Sequence, residues 1–463
     1  MQRLIPYWPY LLYSIVGIAT IFGFDGTADS GDSITHYLIS RHAPQHPQFF
    51  LDHWAKPVFV ILSCAWAQFG MVGMKFFNLT VTLLAARFTQ LLADRLGIAN
   101  SWTIPVFFLF APLNYIVTFS GLTEPLFSLF LALALWLAVQ NRHEWAGVAV
   151  SFLPFVRSEG LLMVAVFLCL YIFSARWKAA IATCSGHILF TLAGFLAGKD
   201  LLWTITEIPY ASANSPYGHG DLLSFPSGMI FVLGIPLLIL FLIGFLVLVQ
   251  HMLSSVDDRN MMFLIGGSFL ALFLFHTFAW AFGMFNSMGL RRVMVAVMPS
   301  MVVMVLLGFN LLVENRFWKN TSMKRAVKAL ILTTIVLFPF TENHAAIHWD
   351  RSLSLRPDQM LEKKAGELLE KQPAKGHHVH SSPYLSVVLG HDHFDPNVRT
   401  SLCSWSLSIL RHNDIVVWNN WSDQKCDPMP LERLRSEPRL KQLDSFQTSN
   451  AERSFQLVVF RYE

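Results

Sequence analysis

The chain has 463 residues, of which 54% are hydrophobic and only 14% charged, with a net charge of +4. Soluble domains carry roughly 25% charged residues, so this composition belongs to a polytopic membrane protein. The near balance of 34 basic and 30 acidic residues excludes a nucleic-acid footprint, and the basic residues read as determinants of topology.

A spanning helix needs about 20 mostly apolar residues. In chain order, about eleven stretches approach that pattern, at roughly 5–24, 71–92, 103–120, 122–140, 144–156, 159–175, 179–203, 228–250, 260–284, 293–313 and 326–345. The first is too long for a signal-peptide core and lacks a clear small-residue cleavage site, so it reads as an uncleaved span. "AKPVFVILSCAWAQFG" (55–70) is too short to cross and reads as a partly inserted or interfacial helix.

With Met1 inside, the inner connections carry Arg87, Arg95, Arg142, Arg176, Lys178, Arg259 and the strongly basic "ENRFWKNTSMKRAVK". An odd number of spans then puts the C-terminus outside. Residues from about 346 onward become an extracytoplasmic tail with a helix-like "PDQMLEKKAGELLEKQ" and strand-like "LSVVLG", "DIVVWNN" and "FQLVVFRYE". Its roughly 110 residues suit one small α/β domain. The expected division is a membrane domain at 1–345 and a tail domain at 346–463, with no short-period repeat. Short inner loops and a compact tail favour a bacterial inner membrane. Cys64, Cys169 and Cys184 sit in apolar runs as small hydrophobes, whereas Cys403 and Cys426 could pair if the tail faces an oxidising compartment.

The first outer loop (25–56) lies within "FDGTADSGDSITHYLISRHAPQHPQFFLDHWAKPVF" and is dense in ionisable groups. Asp32 and Lys56 from this loop join Glu124, Arg157, Glu159, Arg291 and Arg292 on the same outer side, at the ends of several different spans. Ionisable residues at such places are functional hypotheses by default, and clustering on one leaflet strengthens that reading. Each also has a plainer role. Asp32 could cap a helix beginning "SITHYLISRH", Lys56 could snorkel to headgroups, and Glu124 could favour a helix N-terminus. Arg157 and Glu159 could pair locally, although i,i+2 neighbours on a helix do not face each other. Arg291 and Arg292 could simply hold lipid phosphates at the start of a span. Asp25 and Asp29, among Gly and Ser, read as solvated loop residues. His36, His42, His46 and His53 match no zinc spacing. "GHHVHSS" and "HDHFD" could bind metal or form a polar strand and loop.

A carboxylate such as Asp32 can take a proton from a hydroxyl nucleophile. Cations near a bilayer surface can hold a phosphate whose charge grows as it departs, while the spans offer an apolar slot for a lipid tail. Together these describe group transfer from a lipid-linked phosphate donor at the outer face of a membrane. Direct displacement at an anomeric carbon inverts its configuration. One carboxylate suffices, because a phosphate leaves without the acid that glycoside hydrolysis needs.

At this point the residues resemble those of the GT-C glycosyltransferases, membrane enzymes that use polyprenyl-phosphate sugars. "GDSITHY" (31–37) resembles their acidic motif in the first outer loop, and "HWAKPVF" (53–59) the "KPPL"-type segment after it. "LTEPLFSLFLAL" (122–133), "FVRSEGLL" (155–162) and "GLRRVMVAVMP" (289–299) are similar to the second acidic site, the Arg-containing helix start and the late "R-Y-x-L-P"-like helix start. The likeness runs from about residue 5 to about 345, and the tail resembles the small extracytoplasmic domain of many members. It implies an all-α polytopic GT-C fold followed by the small α/β domain. Within it, Asp32 and Glu124 are expected in catalytic roles, with Asp32 as base and Glu124 orienting acceptor or sugar. Lys56, His53, Tyr37, Arg157, Glu159, Arg291 and Arg292 are expected substrate contacts. The implied partners are a polyprenyl-phosphate sugar, a glycan, lipid or protein acceptor, and membrane lipids. Ser33 stands where the family often has a second acid, which weakens a paired-carboxylate metal role and leaves a divalent metal open. Val58 replaces the commoner second proline. The alternative of another class is a transporter or lipid flippase, which would place charges near the midplane and show inverted repeats.

Overall fold

A computed structural model describes the chain from residue 7 to 463, apart from 30, 213, 255, 315–317, 319, 373–375, 405–409, 424–429 and 450–452. The helices run in the order α1 (Trp8–Gly23), α2 (Asp32–His42), α3 (Pro57–Ala67), α4 (Gly70–Arg95), α5 (Ile104–Phe110), α6 (Pro112–Thr118), α7 (Glu124–Val139) and α8 (His143–Ser151). They continue as α9 (Gly160–Phe173), α10 (Trp177–Ala182), α11 (Ser185–Leu196), α12 (Trp203–Thr206), α13 (Ser224–Ser254), α14 (Val256–Ala281), α15 (Met298–Val313) and α16 (Thr321–Leu337). Helices occupy all eleven expected apolar stretches. By length and composition, five helical segments among the described residues can cross a membrane, and the pair α5–α6, bent by 75°, makes a sixth. The bend falls at Ala111–Pro112, where a proline opens the second helix and removes the backbone donor that a continuous helix needs. Other stretches are shorter helices, such as the 14 residues of α9.

Close backbone approach builds the middle of the bundle. A Cβ on Gly244 of α13 would lie 1.7 Å from the Met304 carbonyl oxygen of α15, and one on Gly308 would lie 2.0 Å from the Leu240 carbonyl oxygen. Small residues at facing positions let membrane helices pack at this distance. In α4, the buried Lys75 donates from Nζ to the Phe24 carbonyl at 2.6 Å, which ties the start of the first outer loop to a span.

After α16 come α17 (Trp349–Leu353), α18 (Pro357–Glu370), β1 (His378–Val379), α19 (Pro383–Leu389), β2 (Arg399–Thr400), β3 (Ile415–Asn419), α20 (Leu431–Ser436), β4 (Leu440–Ser449) and β5 (Ser454–Tyr462). The sheet order is β2-β1-β3-β5-β4, parallel from β2 to β3 and antiparallel beyond. Strand alternation divides β3 between two cores: Ile415 and Val417 pack with α18, while Val416 and Trp418 pack with α20. The expected strand at "LSVVLG" is instead α19. Pro383 opens it at the first helical position, and Gly390 closes it in the left-handed conformation at φ 66°. Cys403 is disulfide-bonded and Cys64, Cys169 and Cys184 are free thiols; Cys426 lies outside the described residues, as do Arg316 and Lys319 of the basic stretch.

This C-terminal unit rests on the first outer loop. His46 Nε2 meets Asp392 Oδ2 at 2.8 Å, and Phe394 packs edge-on to Phe49 at 4.6 Å. The Gly26 amide donates to the Leu353 carbonyl at 2.8 Å.

Candidate active site

The start of α2 sets the geometry of the acidic motif. Asp29, read from the sequence as a solvated loop residue, supplies the cap. Its Oδ1 accepts from the Gly31 amide at 2.8 Å and the Ser33 amide at 3.2 Å. Asp32 is the first residue of the helix and is not its cap. Because Asp29 meets the orphan amides, the Asp32 carboxylate is left to face inward. Both aspartates hold one guanidinium: Arg292 Nη1 reaches Asp29 Oδ2 at 2.6 Å, and its Nη2 bonds Asp32. Burial raises the Asp29 carboxyl, but Arg292 and the two amides more than offset this and hold it below its usual value.

Glu124, first residue of α7, lies beneath with no solvent exposure. Its Oε1 is 2.9 Å from Arg157 Nη1 and 3.6 Å from Arg292 Nε, so one buried carboxylate binds both arginines. Arg157 also pairs with Glu159, Nη2 to Oε1 at 2.9 Å. The i,i+2 spacing permits this because 157–159 form the turn before α9, where helix geometry does not separate them. Burial opposes the Arg157 charge, yet Glu124 and Glu159 raise its pKa above the ordinary value. Arg157 in turn holds Glu159 well below its own. His276 of α14 closes the chain, Nε2 to Glu159 Oε1 at 3.4 Å, with its ring stacked on Phe225.

Lys56 arrives from the other end of the loop. It precedes Pro57 of α3 with φ 74°, a left-handed conformation uncommon outside glycine. Its Nζ donates to Ser158 Oγ at 2.8 Å and lies 3.2 Å from His53 Nδ1. His53 Nε2 lies 3.1 Å from the Thr204 carbonyl, which requires a donor there, so Nδ1 is left to accept from the lysine. Burial pushes Lys56 down to about 7. Among the described residues no carboxylate lies within ion-pair distance of Lys56, in contrast to both arginines.

These groups share a cavity of about 510 Å³, lined by Asp32, Lys56, Arg157, Glu159, His276 and Arg292. His36 and Trp54, stacked at 4.7 Å, form one side. Leu161 and Leu162 of α9, with Phe275 and Ala279 of α14, give an apolar wall. Tyr210 covers another side and accepts from Trp54 Nε1 at 2.5 Å. Glu124 and His53 lie behind the lining, in contact with residues on it.

Two expected contacts point elsewhere. Tyr37 is buried and accepts from Arg41 Nη1 at 2.5 Å, and the Arg291 guanidinium lies over the Phe231 ring at 4.2 Å. Sequence reasoning missed Asp29, Ser158 and His276. Only His276 carried a signal, as an ionisable residue within the apolar run "FLFHTFAW". Among the described residues no group of three His, Cys, Asp or Glu side chains could hold a metal ion, and the two loop aspartates both hold Arg292.

The helical bundle, with its acidic first loop, converging cations and small C-terminal sheet, has the fold of known membrane-protein structures. Superposition supports this over the whole chain. ArnT from Cupriavidus metallidurans bound to undecaprenyl phosphate matches with a TM-score of 0.63 at 11% identity, covering 98% of each chain. Its apo state matches with a TM-score of 0.61, also at 11% identity, covering 98% of this chain and 97% of that one. The Archaeoglobus fulgidus oligosaccharyltransferase tethered to an acceptor peptide matches with a TM-score of 0.51 at 11% identity, over 84% of this chain and 64% of its own. No protein-family model matches the sequence, and neither does any curated protein.

Proposed function

We propose that the protein is an inverting glycosyltransferase moving a sugar from a polyprenyl-phosphate donor to an acceptor hydroxyl. The reading rests above all on one observation: Lys56, Arg157 and Arg292 converge with Asp32 on a cavity that has an apolar wall of Leu161, Leu162, Phe275 and Ala279. The matched ArnT structure, bound to undecaprenyl phosphate, supports a donor of this class. The acceptor oxygen attacks the anomeric carbon as its proton passes to Asp32. The bond from that carbon to the phosphate oxygen breaks, and the polyprenyl phosphate leaves with the electron pair. Lys56, which has no carboxylate within ion-pair distance among the described residues, meets the phosphate first, and Arg157 shares the growing charge. Glu124 is a positioning residue that holds both arginines in register, as His53 does for Lys56. The lipid tail follows Leu161, Leu162 and Phe275 toward the bilayer. By the positive-inside reading, the cavity and the tail domain (346–463) face outward from a bacterial inner membrane, and residues 1–345 form the catalytic membrane domain.

The test is complementation read by lipid mass spectrometry. Cells lacking the protein are expected to accumulate a polyprenyl-phosphate sugar. The wild-type chain should clear it, and Asp32→Asn, inserted at normal levels, should not. Clearance by Asp32→Asn would overturn the assignment of the base.

A further inference from the structure

A second cavity, of about 330 Å³, adjoins the first. Leu122, Leu290 and Arg292 line both, whereas Asp32 faces only the first and Asp29 only the second. We propose that this second cavity binds the acceptor, and that Arg356 recognises an anionic group on it. The inference rests on the glycosyltransferase reading above and extends it to the acceptor's chemistry.

Position is the first argument. A molecule in the second cavity touches the same guanidinium that holds Asp32, so a hydroxyl at the shared wall reaches the base and the sugar together. Size is the second, since about 330 Å³ sits at the lower end of the roughly 300–1,000 Å³ of small-molecule sites. The lining is mixed, with an apolar floor of Leu113, Ile116 and Val117 and polar side chains Thr27, Asp29 and Ser120 that are themselves hydrogen-bonded within the protein.

Charge decides the class. Arg292 is already offset by Asp29, Asp32 and Glu124. Arg356 reaches Asp358 Oδ1 only through Nε, at 3.3 Å, and among the described residues neither Nη has a partner. Its side chain is 47% exposed and lines the second cavity, which leaves both Nη groups available to a ligand there. The arginine is held there by backbone. A Cβ on Gly26 would lie 2.1 Å from the Ser354 carbonyl oxygen, so the outer loop and the segment before α18 touch with no room for a side chain. The C-terminal unit thereby contributes a specificity residue to a cavity otherwise built by the membrane helices and the first outer loop.

The experiment uses the full chain in phosphatidylcholine nanodiscs, with Cys64, Cys169 and Cys184 replaced by alanine and Ala28→Cys introduced on the cavity wall. Labelling rates are compared for an anionic (sulfonatoethyl) and a cationic (trimethylammonioethyl) methanethiosulfonate. About a tenfold preference for the anion is expected, lost in Arg356→Ala. Undecaprenyl phosphate binding, read by native mass spectrometry of the nanodisc-reconstituted protein, should be unchanged by the label. No preference, a preference that survives Arg356→Ala, or displacement of undecaprenyl phosphate by the label would each overturn the assignment. Ser120→Cys repeats the measurement should Ala28→Cys misfold. A neutral methyl reagent then separates sources. Slower labelling in phosphatidylglycerol nanodiscs assigns the anion to a lipid headgroup, and slower labelling with added inorganic phosphate assigns it to a soluble molecule. Slowing by neither overturns the site. None of these readouts needs turnover, so a wild-type protein that transfers no sugar would defeat the enzyme reading separately.

Discussion

Replacing Lys56 by methionine should make the protein more stable and unable to hold its donor. The lysine is 5% exposed, and burial lowers its pKa from the usual 10.5 to about 7. A shift of that size corresponds to about 5 kcal/mol at roughly 1.36 kcal/mol per pKa unit. The sign follows from proton counting. Between pH 7 and 10.5 the unfolded chain holds the proton and the folded chain does not, so wild-type stability rises with pH through that window. Below pH 7 both states are charged and the full penalty applies. Methionine removes the penalty and forfeits the contacts to Ser158 and His53, each worth roughly 0.5–1.5 kcal/mol. A net gain of about 2–4 kcal/mol is expected at pH 6, shrinking as pH approaches 10. Thermal unfolding of both proteins in one detergent at pH 6, 8 and 10 reads the gain, and undecaprenyl phosphate binding reads the loss. If Lys56→Met is less stable than wild type at pH 6, the buried ammonium is structural and the argument for a phosphate contact fails.

Asp32→Asn should lower transfer by roughly 10²–10⁴-fold with its melting curve little changed, since its side chain is 43% exposed. Asp29→Asn should act differently, because it loosens Arg292 and weakens the cap of α2; a lower melting temperature together with slower transfer is the expected pair of readings. Glu124→Ala leaves two buried guanidinium groups without their shared partner and should destabilise the fold by roughly 3–5 kcal/mol, measured by denaturation in detergent. Gly308→Ala should cost roughly 1–3 kcal/mol by forcing α13 and α15 apart, whereas Gly267→Ala, whose nearest contact is the Val166 methyl at 3.3 Å, should cost far less.

The amino-acid order alone determined where apolar helices form and that charges gather at their ends, because hydrophobic run length and charge placement are local properties of the chain. It also marked Asp32, Lys56, Arg157, Glu159 and Arg292 as candidates, and all five line one cavity. Local signals failed where a residue's partner is remote. Asp29 looked solvated because its guanidinium lies 263 positions away, and Arg291 looked equivalent to Arg292 until the turn at Arg291–Val297 sent one toward Phe231 and the other toward the aspartates. "LSVVLG" had strand composition, yet Pro383 and Gly390 placed a short helix there. Only the tertiary structure decided that Glu124 lies under both arginines, that His276 pairs with Glu159, and that Arg356 of the C-terminal unit reaches a second cavity. Such pairings depend on which helix ends are desolvated against each other, and that is a property of packing across the bundle and not of any one segment.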